Sequence, residues 1–211
     1  QRCSDSGIAI ARFFVLDSPE AFWPAGWQPP VVLKPVRQGS SVGLQFVDRV
    51  DDLKRALTEA LRYDREVLME ERIVGREVTV GILAGEALPI VEIRPRQGEF
   101  DYHNKYTAEA TEYFCPASFP ADVTARIQAA ASEAFEAVGG RDFGRVDIMV
   151  NEAGGAVVLE VNTVPGLTDT SLLPKAAAAA GLAFPQLCQR MVDMARARVP
   201  LVAGPVDSSV R

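Results

Sequence analysis

The 211-residue sequence predicts an α+β fold, and three observations carry that reading. Residues 144–166, GRVDIMVNEAGGAVVLEVNTVPG, read as two strands around a turn at 151–155, because side chains alternate from face to face on both sides of it. A Gly-containing link at residues 72–75 joins two further strands and marks where two units meet, dividing the chain into residues 1–75 and 76–211. Apolar residues recur at helical spacing in residues 50–63, 121–138 and 184–199.

Taken in order, residues 8–16 form an apolar run, and the loop after it holds Trp23 and Trp27 as packing residues. VVLKP, residues 31–35, is a buried strand that ends where proline stops the ladder. It delivers Lys34 just before the Gly/Ser loop at residues 37–43. Val50, Leu53, Ala56, Leu57, Ala60 and Leu61 make an amphipathic helix. A strand at 66–71 leads through the link into the alternating run EVTVGIL, and a turn at 84–86 folds it back into residues 87–93. The next 23 residues, 94–116, are irregular and polar, longer than the ~15 residues an ordinary loop reaches. Phe100, Tyr102, Tyr106, Tyr113 and Phe114 favour a lid there over disorder. The helix at 121–138 stops at Gly139 and Gly140. Ser171 opens a short helix closed by Gly181, Leu187, Met191 and Met194 face inward from the last one, and residues 200–211 are read as a frayed tail.

Composition narrows the function. With 48% hydrophobic and 24% charged residues the chain can bury a sizeable core, and its net charge of −6 argues against a nucleic-acid partner. Cys3, Cys115 and Cys188 lie far apart without CxxC spacing, which fits a reducing cytosol better than a disulfide framework. No apolar run approaches the ~20 residues of a membrane span, and no signal peptide is visible. The start at Gln1 points to a chain cut or numbered from within something longer.

The chemistry concentrates in the hairpin. Alternation sets Arg145, Asp147 and Met149 on one face of its first strand, with Val146, Ile148 and Val150 on the other. In the second strand Val157, Leu159 and Val161 form the apolar face, while Val158, Glu160 and Asn162 share the charged one. The turn then places Asp147 opposite Glu160, with Cβ atoms ~5 Å apart. Carboxylates that close repel unless one is protonated or a cation lies between them. With Asn162 they form an all-oxygen set suited to Mg²⁺ rather than zinc. A solvated hairpin face would account for the valines but not for clustered Arg, Asp, Glu and Asn.

GxxxxGK[ST] and GxGxxG are both absent, so a phosphate site must be built otherwise. RQGSSVG offers backbone N–H groups and the hydroxyls of Ser40 and Ser41, with Lys34 beside it and Lys105 in the lid. Gly/Ser turns are more often plain loops; the lysines and the carboxylate set give this one a purpose. His103, the sole histidine, excludes multi-histidine zinc sites and is read as a surface residue. Phosphoryl transfer, in which positioning and charge neutralisation do most of the work, is the chemistry left.

KPVRQGSSVG, MEERIVGREVTV, DYHNKYTAEATEYFCPA, GRVDIMV and LEVNTVPGLTDTSL, in this order and spacing, resemble the D-alanine:D-alanine ligase family of the ATP-grasp superfamily. The resemblance covers essentially the whole chain and corresponds to that family's central and C-terminal domains, without its N-terminal domain. It implies an ATP-grasp fold: a small central subdomain at 1–75 and a C-terminal subdomain at 76–211 with a lid at 94–116, ATP and Mg²⁺ lying between two antiparallel sheets.

The same resemblance implies roles. Asp147, Glu160 and Asn162 would hold two Mg²⁺ ions, with Mn²⁺ a possible substitute. Lys34 and Lys105 would contact phosphates, and Ser40 and Ser41 would close over the γ-phosphate. Glu70, with the backbones of Glu71 and Ile73, would read adenine; Glu77 would take the ribose hydroxyls; Met149 and Leu159 would line the adenine pocket, although strict alternation turns Leu159 away from it. Arg145 and the Gly166 backbone would stabilise the charge developing on the reacting groups. Ser171 and Leu172 would bind the second substrate's carboxylate with N–H groups at a helix start. Tyr106 would orient Ser40. The implied reaction joins two D-alanine molecules through an acyl phosphate for peptidoglycan, in the cytoplasm, by a homodimer assembled through the missing N-terminal domain. Another ATP-grasp ligase joining a different carboxylate and amine, or a fragment that only binds Mg·ATP, are the alternatives.

Overall fold

The computed structural model describes residues 2–96, 110–168 and 170–198. The chain is α+β, as its periodicities predict, and its described strands form two sheets. After a short helix, α1 (Arg2–Asp5), residues 8–10 run along the edge of the larger sheet: Ile10 bridges Val158 in parallel, and the Val158 N–H donates to the Ala9 carbonyl at 2.9 Å. Three residues after Ile10 the chain is in the smaller sheet, whose order is β1 (Phe13–Leu16), β4 (Val67–Glu71), β2 (Val31–Pro35), β3 (Gln45–Val47), antiparallel throughout.

One face of this sheet packs on α2 (Leu53–Ala60), which presents Leu53, Ala56, Leu57 and Ala60 to Val31, Leu33, Val47, Val67 and Met69. The helical spacing from Val50 begins as a 3₁₀ turn at Val50–Asp52 before the α-helix proper, a tighter start of the kind common at helix termini. Trp23 and Trp27 pack against this core as expected. The strand ends at Pro35 as expected, with Pro35 paired to Val67 as its last residue, and one further backbone bond follows, from the Val36 N–H to the Glu66 carbonyl at 3.0 Å.

The larger sheet runs β10 (Ala156–Asn162), β9 (Phe143–Val150), β5 (Arg76–Leu83), β7 (Val91–Pro95), β8 (Thr111–Phe114), with β6 (Glu86–Ala87) paired to β5. Its β5 is buried on both faces rather than alternating. Val78, Val80 and Ile82 meet Ile127, Ala131, Ala134 and Phe135 of α3 (Ala121–Ala137). Leu83, Val91 and Ile93 meet α4 (Leu172–Ala179) and α5 (Phe184–Ala197) through Leu172, Leu173 and Leu187. A strand covered on both sides gains burial at every position, which hides the period of two in an apolar run.

The stretch at 94–116 is not irregular at its ends. Arg94 and Pro95 finish β7, and β8 pairs with them through Glu112 and Thr111. Tyr113 and Phe114 are therefore sheet residues. Polar side chains masked the strand: Glu92, only 4% exposed, is clamped by Arg76 and Arg94, whose guanidinium groups lie over Phe119 and Phe114. The charges that made the segment look soluble neutralise each other on the sheet face. The rest of the expected lid, with Lys105, Tyr106 and His103, lies outside the described residues.

Gly75 in the inter-sheet link is required by space, not by a left-handed backbone. A Cβ there would sit 2.1 Å from the Val150 carbonyl oxygen and 2.7 Å from its carbon. Gly75→Ala is expected to destabilise the protein by about 1–3 kcal/mol, since backbone must move to admit the methyl. Urea denaturation checks it; an unchanged midpoint would remove the steric role.

Candidate active site

Pairing across β5, β9 and β10 lays out three rows on one face of the large sheet. Glu77 pairs with Met149, and Met149 with Val157; Thr79 pairs with Asp147, and Asp147 with Glu160; Gly81 pairs with Arg145, and Arg145 with Asn162. The expected juxtaposition of Asp147 and Glu160 is present, but the turn alone does not produce it. Next to the turn the register is Ala156 to Val150 and Val157 to Met149, which would set Asp147 against Leu159. A β-bulge between Val158 and Glu160 takes Leu159 out of the count and brings Glu160 opposite Asp147.

The bulge also corrects the expected faces. Val158, placed with the charges by strict alternation, pairs with Ile148 and is buried in the α3 core. Val157 moves to the row of Met149 instead. Leu159, turned away from the site by alternation, lines the cavity there.

Asp147 is the electrostatic centre. Thr79 Oγ1 donates to its Oδ1 at 2.5 Å; Arg145 donates from Nε to Oδ1 at 2.9 Å and from Nη2 to Oδ2 at 2.8 Å. Burial opposes ionisation of this carboxyl, yet the Arg145 fork, joined by Thr79 and Glu160, outweighs it and holds the pKa below the usual aspartate value. Burial likewise opposes the Arg145 charge, and Asp147, with Glu160 and Glu77 adding, outweighs it and raises the guanidinium above its ordinary value. Asn162 Nδ2 reaches Asp147 Oδ2 at 3.2 Å and Glu160 Oε1 at 3.0 Å.

That amide NH₂ stands between two carboxylates, where electropositive density is needed. A half-turn of the amide exchanges Nδ2 for Oδ1 and offers a third oxygen. The donor set then fits a hard divalent cation such as Mg²⁺. Among the described residues no group of three or more His, Cys, Asp or Glu is placed to hold a metal ion.

Facing these rows across a cavity of about 140 Å³ is the small sheet. Lys34, Ser40 and Ser41 line it from the small sheet and its Gly/Ser loop, with Lys34 ion-paired to Glu70. Glu70, Glu71 and Ile73 line it from β4 and the inter-sheet link, and Glu77, Met149, Leu159, Asp147 and Glu160 from the large sheet. Arg145 and Asn162 sit one row beyond it. Gly166 lies next to Ser171, since a Cβ on Gly166 would approach Ser171 Oγ to 2.7 Å. Ser171 caps α4 rather than starting it, and its N–H donates to the Thr168 carbonyl at 2.9 Å. The Ser171 amide expected to face a carboxylate is thus engaged within its own loop; the Leu172 amide belongs to the first turn of α4.

Three site residues were not anticipated. Thr79 was legible, since it shares the parity of Glu77 in β5. Arg72 lines the cavity with its guanidinium 5.0 Å from the Phe46 ring; it lies within the MEERIVGREVTV segment, but no role was assigned to it there. Tyr113, read as a lid aromatic, pairs with Ile93 in the row of Glu77. Burial first, and then the Glu77 charge, push its hydroxyl pKa up, while Arg145 pulls it down.

A family model described as D-ala D-ala ligase C-terminus matches residues 5–193. The chain is 48% identical over 172 residues to a D-alanine–D-alanine ligase of Methylacidiphilum infernorum (isolate V4), covering 82% of this chain and 57% of that protein. Among solved structures, the VanG D-Ala:D-Ser ligase of Enterococcus faecalis superposes with a TM-score of 0.80 at 32% identity, covering 92% of this chain and 59% of that one. The D-alanine–D-alanine ligase of Bacillus anthracis complexed with ATP gives 0.78 at 30% identity, with 92% and 63% covered. The chain spans between 57% and 63% of the length of these three proteins.

Proposed function

Since the chain belongs to the D-alanine–D-alanine ligase family, as its C-terminal part, we propose that its cavity holds ATP and that it contributes the ATP side of a ligation of two D-alanine molecules through an acyl phosphate. The observation that carries the proposal is the pair of Asp147 and Glu160 sharing one cavity with Lys34, Ser40 and Ser41, with Asn162 and Arg145 in the next row. Apolar Met149 and Leu159 near Glu70, Glu71 and Ile73 suit a purine at the link, which leaves the polyphosphate to run toward the serines and carboxylates. Glu77, which lines the same cavity, would take the ribose hydroxyls.

Asp147, Glu160 and Asn162 would hold Mg²⁺, which when bound neutralises phosphate charge. Arg145 is fixed by two hydrogen bonds to Asp147, so its guanidinium is oriented before any substrate arrives. Preset charge of this kind costs no reorganisation as negative charge moves onto the transferred phosphoryl group. Ser171 and Leu172, beside Gly166, belong to the acceptor end of the proposal, with the Leu172 amide as its donor, since the Ser171 hydroxyl, like its amide, is bonded to Thr168 in its own loop. Lys105 and Tyr106 in the lid, a homodimer and a cytoplasmic location are further parts of it. Among the described residues no helix is long and apolar enough to cross a membrane.

The test is ADP release by the purified chain with Mg·ATP, with and without D-alanine, beside calorimetry of Mg·ATP. D-alanine-dependent release supports the ligase reading. Release with a different amino-acid pair and none with D-alanine would replace the substrate. The share of its relatives that the chain spans favours a second reading, nucleotide binding without turnover, and calorimetric binding with no ADP release would select it.

A further inference from the structure

The loop at residues 37–43, which lines the cavity through Gln38 to Val42, carries two consecutive non-glycine residues in left-handed backbone, Ser40 at φ 55° and Ser41 at φ 60°. Residues with a Cβ hold that conformation only where surrounding structure over-determines it. Inside the loop the backbone bonds are Val42 N–H to the Gly39 carbonyl at 3.1 Å and Leu44 N–H to the Ser41 carbonyl at 3.2 Å. The stronger hold comes from behind, from the turn between α2 and β4.

Asp64 in that turn accepts the Arg37 backbone N–H at 2.6 Å and Arg37 Nη1 at 2.8 Å. Arg37 Nη2 pairs with Glu66, and Gln38 Nε2 donates to the Tyr63 carbonyl at 3.0 Å. At the loop's far end Gly43, at φ 73°, lies so close to Tyr63 that a Cβ would come within 2.7 Å of ring Cδ2. Both roots of the loop are thus fastened to one turn. The Asp64 side chain is 5% exposed. Burial works against its charge, and the Arg37 amide and guanidinium outweigh that, holding its carboxyl below the usual aspartate value. Arg37, the cation of the RQGSSVG segment, is committed to carboxylates on the side of the loop away from the cavity.

We propose that the α2–β4 turn is the positioning element of the phosphate-facing loop, with Asp64 the positioning residue that acts through Arg37 to set where the amides and hydroxyls of Ser40 and Ser41 point. The proposal rests on the ATP reading of the cavity. It separates the two ends of the nucleotide: the loop meets the phosphates, while Glu70 to Glu77 meet the nucleoside. Loosening the loop therefore weakens ATP and leaves adenosine alone, whereas general damage to the sheet would weaken both.

The experiment measures binding of Mg·ATP by calorimetry, and of adenosine by competition, to the unmutated protein, Asp64→Ala, Arg37→Gln and the double variant, with thermal melting as a control. Cutting this charge-assisted link is expected to lower ATP affinity about tenfold or more in each single variant. Adenosine affinity stays unchanged, and the double variant is no weaker than Asp64→Ala, because both changes cut the same link. Should Asp64→Ala not fold, Arg37→Gln, whose side chain is half exposed, carries the same comparison. Full ATP affinity in folded variants, or equal losses for ATP and adenosine, overturns the positioning role alone. No ATP binding by the unmutated protein overturns the functional reading, and the positioning role with it.

Discussion

Glu160→Gln is expected to lower D-alanine-dependent ADP release by at least about a hundredfold while leaving the melting temperature within a degree or two of the unmutated protein. The two parts of this expectation have separate causes. Glu160 is exposed and lines the cavity, so replacing it with an isosteric amide removes no core contact. What is lost is one of two negative charges that would hold the divalent cation, along with the hydrogen bond its Oε1 accepts from Asn162. Steady-state kinetics over a range of Mg²⁺ concentrations checks it, with partial recovery at high Mg²⁺ expected because the remaining ligands still bind weakly. Turnover at the unmutated level would take the metal role away from Glu160.

Asp147→Asn is expected to behave differently, costing stability as well as activity. Its carboxylate is buried and accepts bonds from Thr79, Arg145 and Asn162. Removing the charge leaves the Arg145 guanidinium in a largely buried place without its counter-ion, a loss of about 3–5 kcal/mol. The pH dependence has a definite sign. Because the folded pKa of Asp147 lies below the ordinary value of about 3.9, its stabilisation is complete above that value and disappears as pH falls through the folded pKa. The difference in urea midpoint between the unmutated protein and Asp147→Asn should therefore be full at neutral pH and shrink below about pH 3.9. A difference that stays constant into acid would show that Asp147 acts by shape and not by charge.

How far the sequence carries differs from residue to residue, for physical reasons. Asp147, Glu160 and Asn162 were legible as a group because charges on a half-apolar hairpin have no packing explanation. Lys34 was legible because a buried strand has to deliver it somewhere. The bulge at Leu159 was not: Val157, Val158 and Leu159 are all apolar, so sliding the register by one residue changes no local preference, and only the fit of Val158 into the α3 core decides it. The strand β8 was hidden because its side chains are answered from the neighbouring strand and its end, Glu112 by Arg96 and Phe114 by the Arg94 guanidinium, a compensation that no single segment displays. Asp64 was invisible for the same reason. In the chain it is one acid in an ordinary turn, and it acquires a task only when folding brings Arg37, 27 residues away, against it. The engagement of the Ser171 amide by Thr168 shows the limit from the other side, since a helix start identified correctly says nothing of which N–H groups its own loop consumes.

The passage of the chain between the two sheets has a mechanical consequence. It crosses twice, once at Ala11 and Arg12 between the Ile10 bridge and β1, and again at residues 72–75 between β4 and β5. The two crossings run side by side, because the Glu71 N–H donates to the Arg12 carbonyl at 2.9 Å. A single strand of backbone would let one sheet swivel against the other in any direction. A pair laced together behaves as a flat strap, pliant to bending across its width and stiff to twisting. Such a strap resists rotation of one sheet on the other, which keeps Lys34 and the serines on the same side of the cavity as the strands place them, opposite Asp147 and Glu160.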